Sequence, residues 1–432
     1  MKYQRIIEWI SQTNPDCDWS HHHDDKAKAH QHLLSPPATQ DTHRKHKRTM
    51  SVSERSGQSA KRPRIDSSED EDEDDEYLAE VDKTPRPQSN ILHQHSLASE
   101  SQSQTSGRSS PSKQMNTLEP SGFKWNQQLS LTNPDIPDDL FEFLTEIVNC
   151  NNGFGIISRD EKAEIAQRAQ SNRSYRLFQD VMYADPAVRD AIGPTPLIDD
   201  VEWIVAEARE CQEFSHPEAS WNESVHFPLL HKAVYGPRRK RQRVGVGNCT
   251  TATLIREYVP KNTLAKRVDY SFFIDPVADT LPISKSPAEA VADLRKVMPC
   301  QVINHTAYRP FRDRPIVVTI ETKKRYGSQE GAELQTGTWH AAHWEFLARR
   351  IEKTGGTFEG LPFLPGILIQ GHDWSFVATT REKLKTVVWL EQKFSYTNDT
   401  IGVYKAIWGV QRLARWVDDV YWPWYKKNVL CL

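Results

Sequence analysis

Large apolar residues are distributed very unevenly along the chain, and the pattern divides it into three stretches. Tyr3 to Gln12 is a brief amphipathic segment carrying Ile6, Ile7, Trp9 and Ile10, too short to hold as an isolated helix in water. From about Asp18 to Lys124 the chain is dominated by His, Ser, Gln, Asp, Glu, Lys and Pro. Such a segment cannot bury enough surface to offset its conformational entropy, so disorder is expected. The resulting division is a short amphipathic segment over 1–15, a disordered charged and Ser-rich tail over 16–133, and a folded domain over 134–432.

Helical periodicity begins near Pro134. Leu140, Phe141, Leu144 and Ile147 mark a helix over 138–148, with acids in its first turn. Further helices are expected over 159–170, 175–184 and 198–214. Over 217–234, Trp221, Val225 and Leu229 recur every four positions, and Pro228 should kink the helix or end it early. The period then becomes strand-like. Strands are expected over 249–259, 268–274 and 316–323, with a helix over 286–297 opened by Ser286-Pro287. A long helix over 329–352, a hairpin around Gly371 and an aromatic-rich helix over 404–420 complete the pattern. Helices alternating with strands in this order imply an α/β fold with a central mixed sheet.

Composition sharpens this division. The hydrophobic share of the 432 residues is 37%, against about 45–50% in globular chains, and the first third accounts for the deficit. The net charge of −3 conceals strong local runs: basic residues over 43–48 and 61–64, and an acidic run over 69–76 preceded by Ser67 and Ser68. Basic clusters of this kind suit an import receptor or weak phosphate contact. The nucleus is therefore the expected location, with the cytoplasm as the alternative. Six scattered cysteines without a CxxC pair indicate reduced thiols and not a disulfide framework. No stretch reaches the roughly 20 apolar residues that cross a bilayer, so no membrane partner is expected.

The candidate chemistry lies on two of the strands. Ile316 to Lys323 is apolar and β-branched until it ends in Glu321-Thr322-Lys323. Alternation places Glu321 and Lys323 on one face, about 6–7 Å apart. Asp269 opens the strand before it. Two carboxylates and a lysine brought together can hold a divalent cation and steady an attacking water or a developing charge. His340 and His343 have no carboxylate at zinc spacing and read as packing or solvent-edge residues; His372-Asp373 reads as a turn. Gly245 and Gly247, with no helix following, do not make a phosphate loop, and the C-terminal tryptophans read as core.

The order of a helix with Glu223, a strand with Asp269, Glu321-x-Lys323 and a helix with Gln335 resembles the PD-(D/E)XK nuclease superfamily. More closely, the chain is similar to the fungal PD-(D/E)XK nuclease-like domain family. The shared segments are Trp-Asn-Glu-x-x-His at 221–226, Asn-Cys-Thr at 248–250, Val-Asp-Tyr at 268–270, Ile-Glu-Thr-Lys at 320–323 and Pro-Gly-Ile-Leu-Ile-Gln-Gly-His-Asp-Trp at 365–374. The resemblance covers roughly 136–425. It implies a restriction-endonuclease-like α-β-β-β-α-β core with extra N- and C-terminal helices, and a nuclease dependent on Mg²⁺ or Mn²⁺. Asp269, Glu321 and Glu223 would be its metal ligands. Glu321, Lys323, Asp269 and Gln335 would be its catalytic group, with the Thr322 carbonyl as a further ligand. Nucleic acid, DNA ahead of RNA, would dock on Arg238, Arg239, Lys240, Arg241, Arg243, Lys324 and Arg325. The 237–243 run reads equally as an import signal or a solvated loop. The competing reading of the chain is an inactive nuclease-fold scaffold or a nuclear interaction protein.

Overall fold

The computed structural model describes residues 110–237, 242–261, 267–280 and 285–432. The amphipathic segment and the charged clusters of the first 109 residues therefore lie outside the described residues.

The described residues form nine strands: β1 Phe123–Gln128, β2 Ile157–Ser158, β3 Tyr183–Ala184, β4 Val244–Asn248, β5 Tyr270–Ile274, β6 Ile316–Lys323, β7 Leu364–Gln370, β8 Asp373–Glu382 and β9 Lys385–Tyr396. Seven make one mixed sheet in the order β1-β9-β8-β7-β6-β5-β4, while β2 and β3 pair apart. β6 lies at the heart of the large sheet and is buried from Ile316 through Thr322. A strand covered on both faces needs an unbroken apolar run, which Pro315 to Ile320 supplies. β6 pairs antiparallel with β5 and parallel with β7. A parallel pair requires a crossover, and the helix Gln329–Thr354 provides it, packed against β6. Ser328 caps this helix through its side chain and Gly355 ends it in the left-handed region, at φ +70°. The helix over 218–235, β4, β5, β6, the crossover helix and β7 thus realise the expected α-β-β-β-α-β order, with β8 and β9 extending the sheet.

Several local expectations are corrected. The strand expected over 249–259 lies instead at 244–248, and the later stretch is a loop with a 3₁₀ turn at Arg256–Tyr258. β4 carries Gly245 and Gly247 because aromatic rings occupy the space above them. A Cβ on Gly245 would come within 2.4 Å of Phe273, and one on Gly247 within 2.7 Å of Phe311. The expected helix over 175–184 is two 3₁₀ turns and the short strand β3.

The folded region also begins earlier than Pro134. Pro111–Leu118 is a helix, and β1 joins the sheet edge parallel to β9. Met115, Leu118, Phe123 and Trp125 form a small cluster with Leu334, Ala341 and Val388. The Phe123 and Trp125 rings stack with centroids 4.8 Å apart. Trp125 presses so closely on the crossover helix that a Cβ at Gly337 would lie 2.5 Å from its ring. Averaged composition conceals four anchors inside a polar stretch.

Trp408, Trp416, Trp422 and Trp424 are all core residues, as expected. Among the described residues the cysteines are free, and no helix is long and apolar enough to cross a membrane.

Candidate functional site

Antiparallel pairing sets Tyr270 opposite Ile320 and so brings the start of β5 beside the end of β6. Asp269 is fixed through its backbone: its N–H donates to the Ile320 carbonyl at 3.1 Å, and its carbonyl accepts from Cys249 N–H at 2.7 Å. Its Oδ2 accepts from both the N–H and the hydroxyl of Thr322, each at 2.8 Å. Thr322 thereby orients the aspartate with its side chain, a role that spacing does not signal. Glu321 and Lys323 share a face as alternation requires, with Lys323 Nζ 3.1 Å from Glu321 Oε1. Glu321 is 1% exposed. Its other oxygen, Oε2, is buried without a hydrogen-bond partner.

Burying this carboxylate has a clear electrostatic consequence. Desolvation, reinforced by the negative charge of Asp269, raises the Glu321 carboxyl well above the ordinary carboxylate range, with Lys323 as the opposing influence. Burial also works against the charge of Lys323. There, however, Glu321, Glu218 and Asp269 outweigh desolvation and hold the ammonium above its usual range. Like charges crowded at a strand end, with one carboxylate oxygen unpartnered, fit a hard divalent cation, whose charge would relieve the repulsion. Among the described residues no three His, Cys, Asp or Glu side chains cluster tightly enough to enclose a metal. The fit is therefore to an ion of the magnesium type, held by one or two carboxylates and completed by water and phosphate oxygens.

The helix beside the site is built in three pieces: Glu218–Trp221, a π-helical turn Asn222–His226, and Phe227–Tyr235. Pro228 sits in the first turn of the last piece, where its missing N–H is tolerated. The two glutamates on this helix are placed differently. Glu223, on the π turn, is exposed. Glu218 instead accepts the Lys324 backbone N–H at 3.2 Å, and its charge acts on both Glu321 and Lys323. The structure thus brings Glu218, not Glu223, to the strand end.

Trp221, Asn222 and His226 hold that helix in place. Burial keeps His226 neutral, its pKa lowered to about 4. Its Nε2 lies 2.9 Å from the Gly371 carbonyl and its Nδ1 2.9 Å from the Asn222 side chain. Trp221 meets His372 edge-on at 4.9 Å. The helix is latched to the β7–β8 turn.

Gln335, on the crossover helix, donates to the Arg267 carbonyl at 3.1 Å, two residues before Asp269. It braces the entry to β5. Of the expected phosphate-binding residues, Arg238, Arg239, Lys240 and Arg241 lie outside the described residues. Arg243 is engaged by Asp418 at 2.6 Å and Asp279 at 3.6 Å, so its charge is neutralised within the fold. Lys324 and Arg325 are exposed, directly beyond Lys323. His340 and His343 are buried packing residues, and His372 occupies the β7–β8 turn, bonded to Thr397 at 3.0 Å.

No curated protein and no solved structure matches the chain. A family model does, over residues 164–422, and its description is the PD-(D/E)XK nuclease superfamily. That span is more than half of the chain and contains the whole α-β-β-β-α-β core together with Asp269, Glu321 and Lys323. By strand order, by the carboxylate–lysine strand end and by this match, the chain belongs to the PD-(D/E)XK nuclease superfamily.

Proposed function

We propose that the protein is a divalent-metal-dependent nuclease that hydrolyses phosphodiester bonds in nucleic acid. The observation that carries this reading is the juxtaposition of Asp269, buried Glu321 and Lys323 at the adjoining ends of β5 and β6. Asp269 and Glu321 would hold Mg²⁺ or Mn²⁺, with Glu218 as the nearby helix carboxylate. When bound, the cation supplies Lewis-acid polarisation of the phosphate and a more acidic water. Lys323, kept charged by its carboxylate neighbours, is suited to stabilising negative charge on the phosphate, and less suited to removing a proton. Thr322 keeps the Asp269 carboxylate oriented. Gln335 fixes the backbone leading into Asp269. DNA is the first substrate to test, because the basic clusters at 43–48 and 61–64 suit an import receptor and a nuclear location.

The test is cleavage of labelled single- and double-stranded DNA and RNA by the full chain with Mg²⁺, Mn²⁺ or EDTA, beside the Lys323→Ala protein. Metal-dependent cutting that disappears in the variant is the expected result. The alternative is a nuclease-fold scaffold without catalysis, in which Glu321 and Lys323 serve only as a buried ion pair. Absence of cutting on every substrate, with no Mn²⁺ bound by calorimetry, would favour it.

A further inference from the structure

The turn that follows Lys323 is held rigidly at its base and left open at its tip. Gly327 N–H donates to the Lys324 carbonyl at 2.9 Å, closing a four-residue turn with Arg325 and Tyr326 at its apex. Three further bonds anchor that base. Gly371 N–H reaches the Lys323 carbonyl at 2.9 Å, Gln370 reaches the Gly327 carbonyl at 2.8 Å, and Lys324 N–H reaches Glu218. Gly371 has φ +57°, and a Cβ there would come within 3.2 Å of the Arg325 Cα, so the hairpin and the turn are in close contact. At the tip, Tyr326 is 85% exposed. The Arg325 guanidinium lies 5.4 Å from the centre of its ring, and Lys324 and Arg325 are both exposed beside it.

We propose that Tyr326 is a stacking platform for an unpaired base of the strand whose phosphate lies at Lys323, so that the enzyme engages single-stranded nucleic acid or an unpaired end. The inference rests on the nuclease reading and deepens it by naming the substrate form. Three features converge on it. The aromatic face is three residues beyond the site lysine and rigidly joined to it. The positive charge of Lys324 and Arg325 beside it suits the neighbouring phosphates. An exposed ring can stack on any base, but only one that is not already stacked within a duplex. A protein partner would also cover a tyrosine, but it would give no reason for lysine and arginine to accompany it at the mouth of a phosphate site.

Fluorescence anisotropy with the full chain tests this, using labelled oligo-dT and a blunt linear duplex, with Ca²⁺ in place of Mg²⁺ so that strands stay intact. Tyr326→Ala is expected to bind oligo-dT about tenfold more weakly, Tyr326→Phe to stay within about twofold of the parent, and duplex binding to be unchanged. Equal oligo-dT binding by parent and Tyr326→Ala would overturn the stacking role and leave the nuclease reading standing. Equal loss on both ligands would overturn it too, since the loop would then serve general phosphate contact. A parent that binds neither ligand would sink both readings.

Discussion

Two polar clusters are buried near β6 and the crossover helix, and they differ in charge. At the end of β6, Glu321, Lys323 and Asp269 bring two acids and a base together at a half-buried opening. Deeper in, His305, His340 and His343 are at most 1% exposed, with the His305 and His343 rings stacked at 4.6 Å and His305 edge-on to Trp339 at 4.8 Å. Both clusters leave polar atoms without a protein partner: Glu321 Oε2 in one, both ring nitrogens of His305 in the other. Orphaned polar atoms therefore do not by themselves distinguish a site. What differs is that the histidines are discharged. Burial lowers His340 to about 3 and, aided by repulsion from neighbouring histidines, lowers His305 to about 3 and His343 well below its ordinary value. The strand end keeps its lysine charged and reaches solvent through it, which suits a phosphate, while the carboxylates beside it suit a cation.

The comparison breaks most easily at Glu321. Exchanging it for Ala should lower metal-dependent cleavage at least a hundredfold, as loss of a preorganised charge does, with the circular dichroism spectrum unchanged. Comparable cutting by parent and variant would remove Glu321 from the chemistry. Next in size is stabilisation by the cation itself. Mn²⁺ at a hundred times its dissociation constant should add about 2.7 kcal/mol, read as a rise in melting temperature that Asp269→Ala abolishes. A rise of the same size in that variant would place the ion elsewhere.

The histidines sharpen the other side. Their folded pKa values lie below the ordinary 6.5, so as pH falls the unfolded chain takes up protons first. Stability should be full above about 6.5 and lost progressively toward about 3, at up to about 1.4 kcal/mol per pH unit for each group. His226 and His372, lowered to about 4, add to the same slope. Urea midpoints at pH 7, 6 and 5 should show it, and His305→Phe should make it shallower while leaving stability at pH 7 within about 1.5 kcal/mol. An unchanged slope would mean that His305 is charged in the fold. The smallest effect separates the two helix glutamates. Glu218→Gln should weaken Mn²⁺ binding about tenfold, worth about 1.4 kcal/mol, and Glu223→Gln should leave it unaltered; isothermal titration giving the reverse order would restore Glu223 to the site.

The parts of this arrangement that sequence reveals are those where one local rule acts alone. β6 is legible because a strand covered on both faces runs apolar or β-branched up to its end, and Glu321 and Lys323 then stand out. The crossover helix and the β7–β8 hairpin follow from period and punctuation. Other parts depend on partners distant in sequence. Gly245 and Gly247 disguise β4 because what fills their space is Phe273 and Phe311. Glu218 escapes notice because its partner, the Lys324 backbone N–H, lies 106 residues further along the chain. β9 is hidden because bulged pairing, with Glu391 at φ +106°, breaks its alternation. Arg243 reads as a phosphate contact until Asp418 and Asp279 are seen to engage it.

The strand formed by Phe123–Gln128 has a practical consequence for anyone trimming the protein. It covers Thr386 to Leu390 on the outer side of β9. A fragment beginning at Pro134 would leave those backbone donors and acceptors bare, and a long bare edge is a template for pairing between molecules. Such a fragment would tend to self-associate, and its lost activity would be mistaken for a missing catalytic tail. Cutting no later than Ser110 keeps the edge closed.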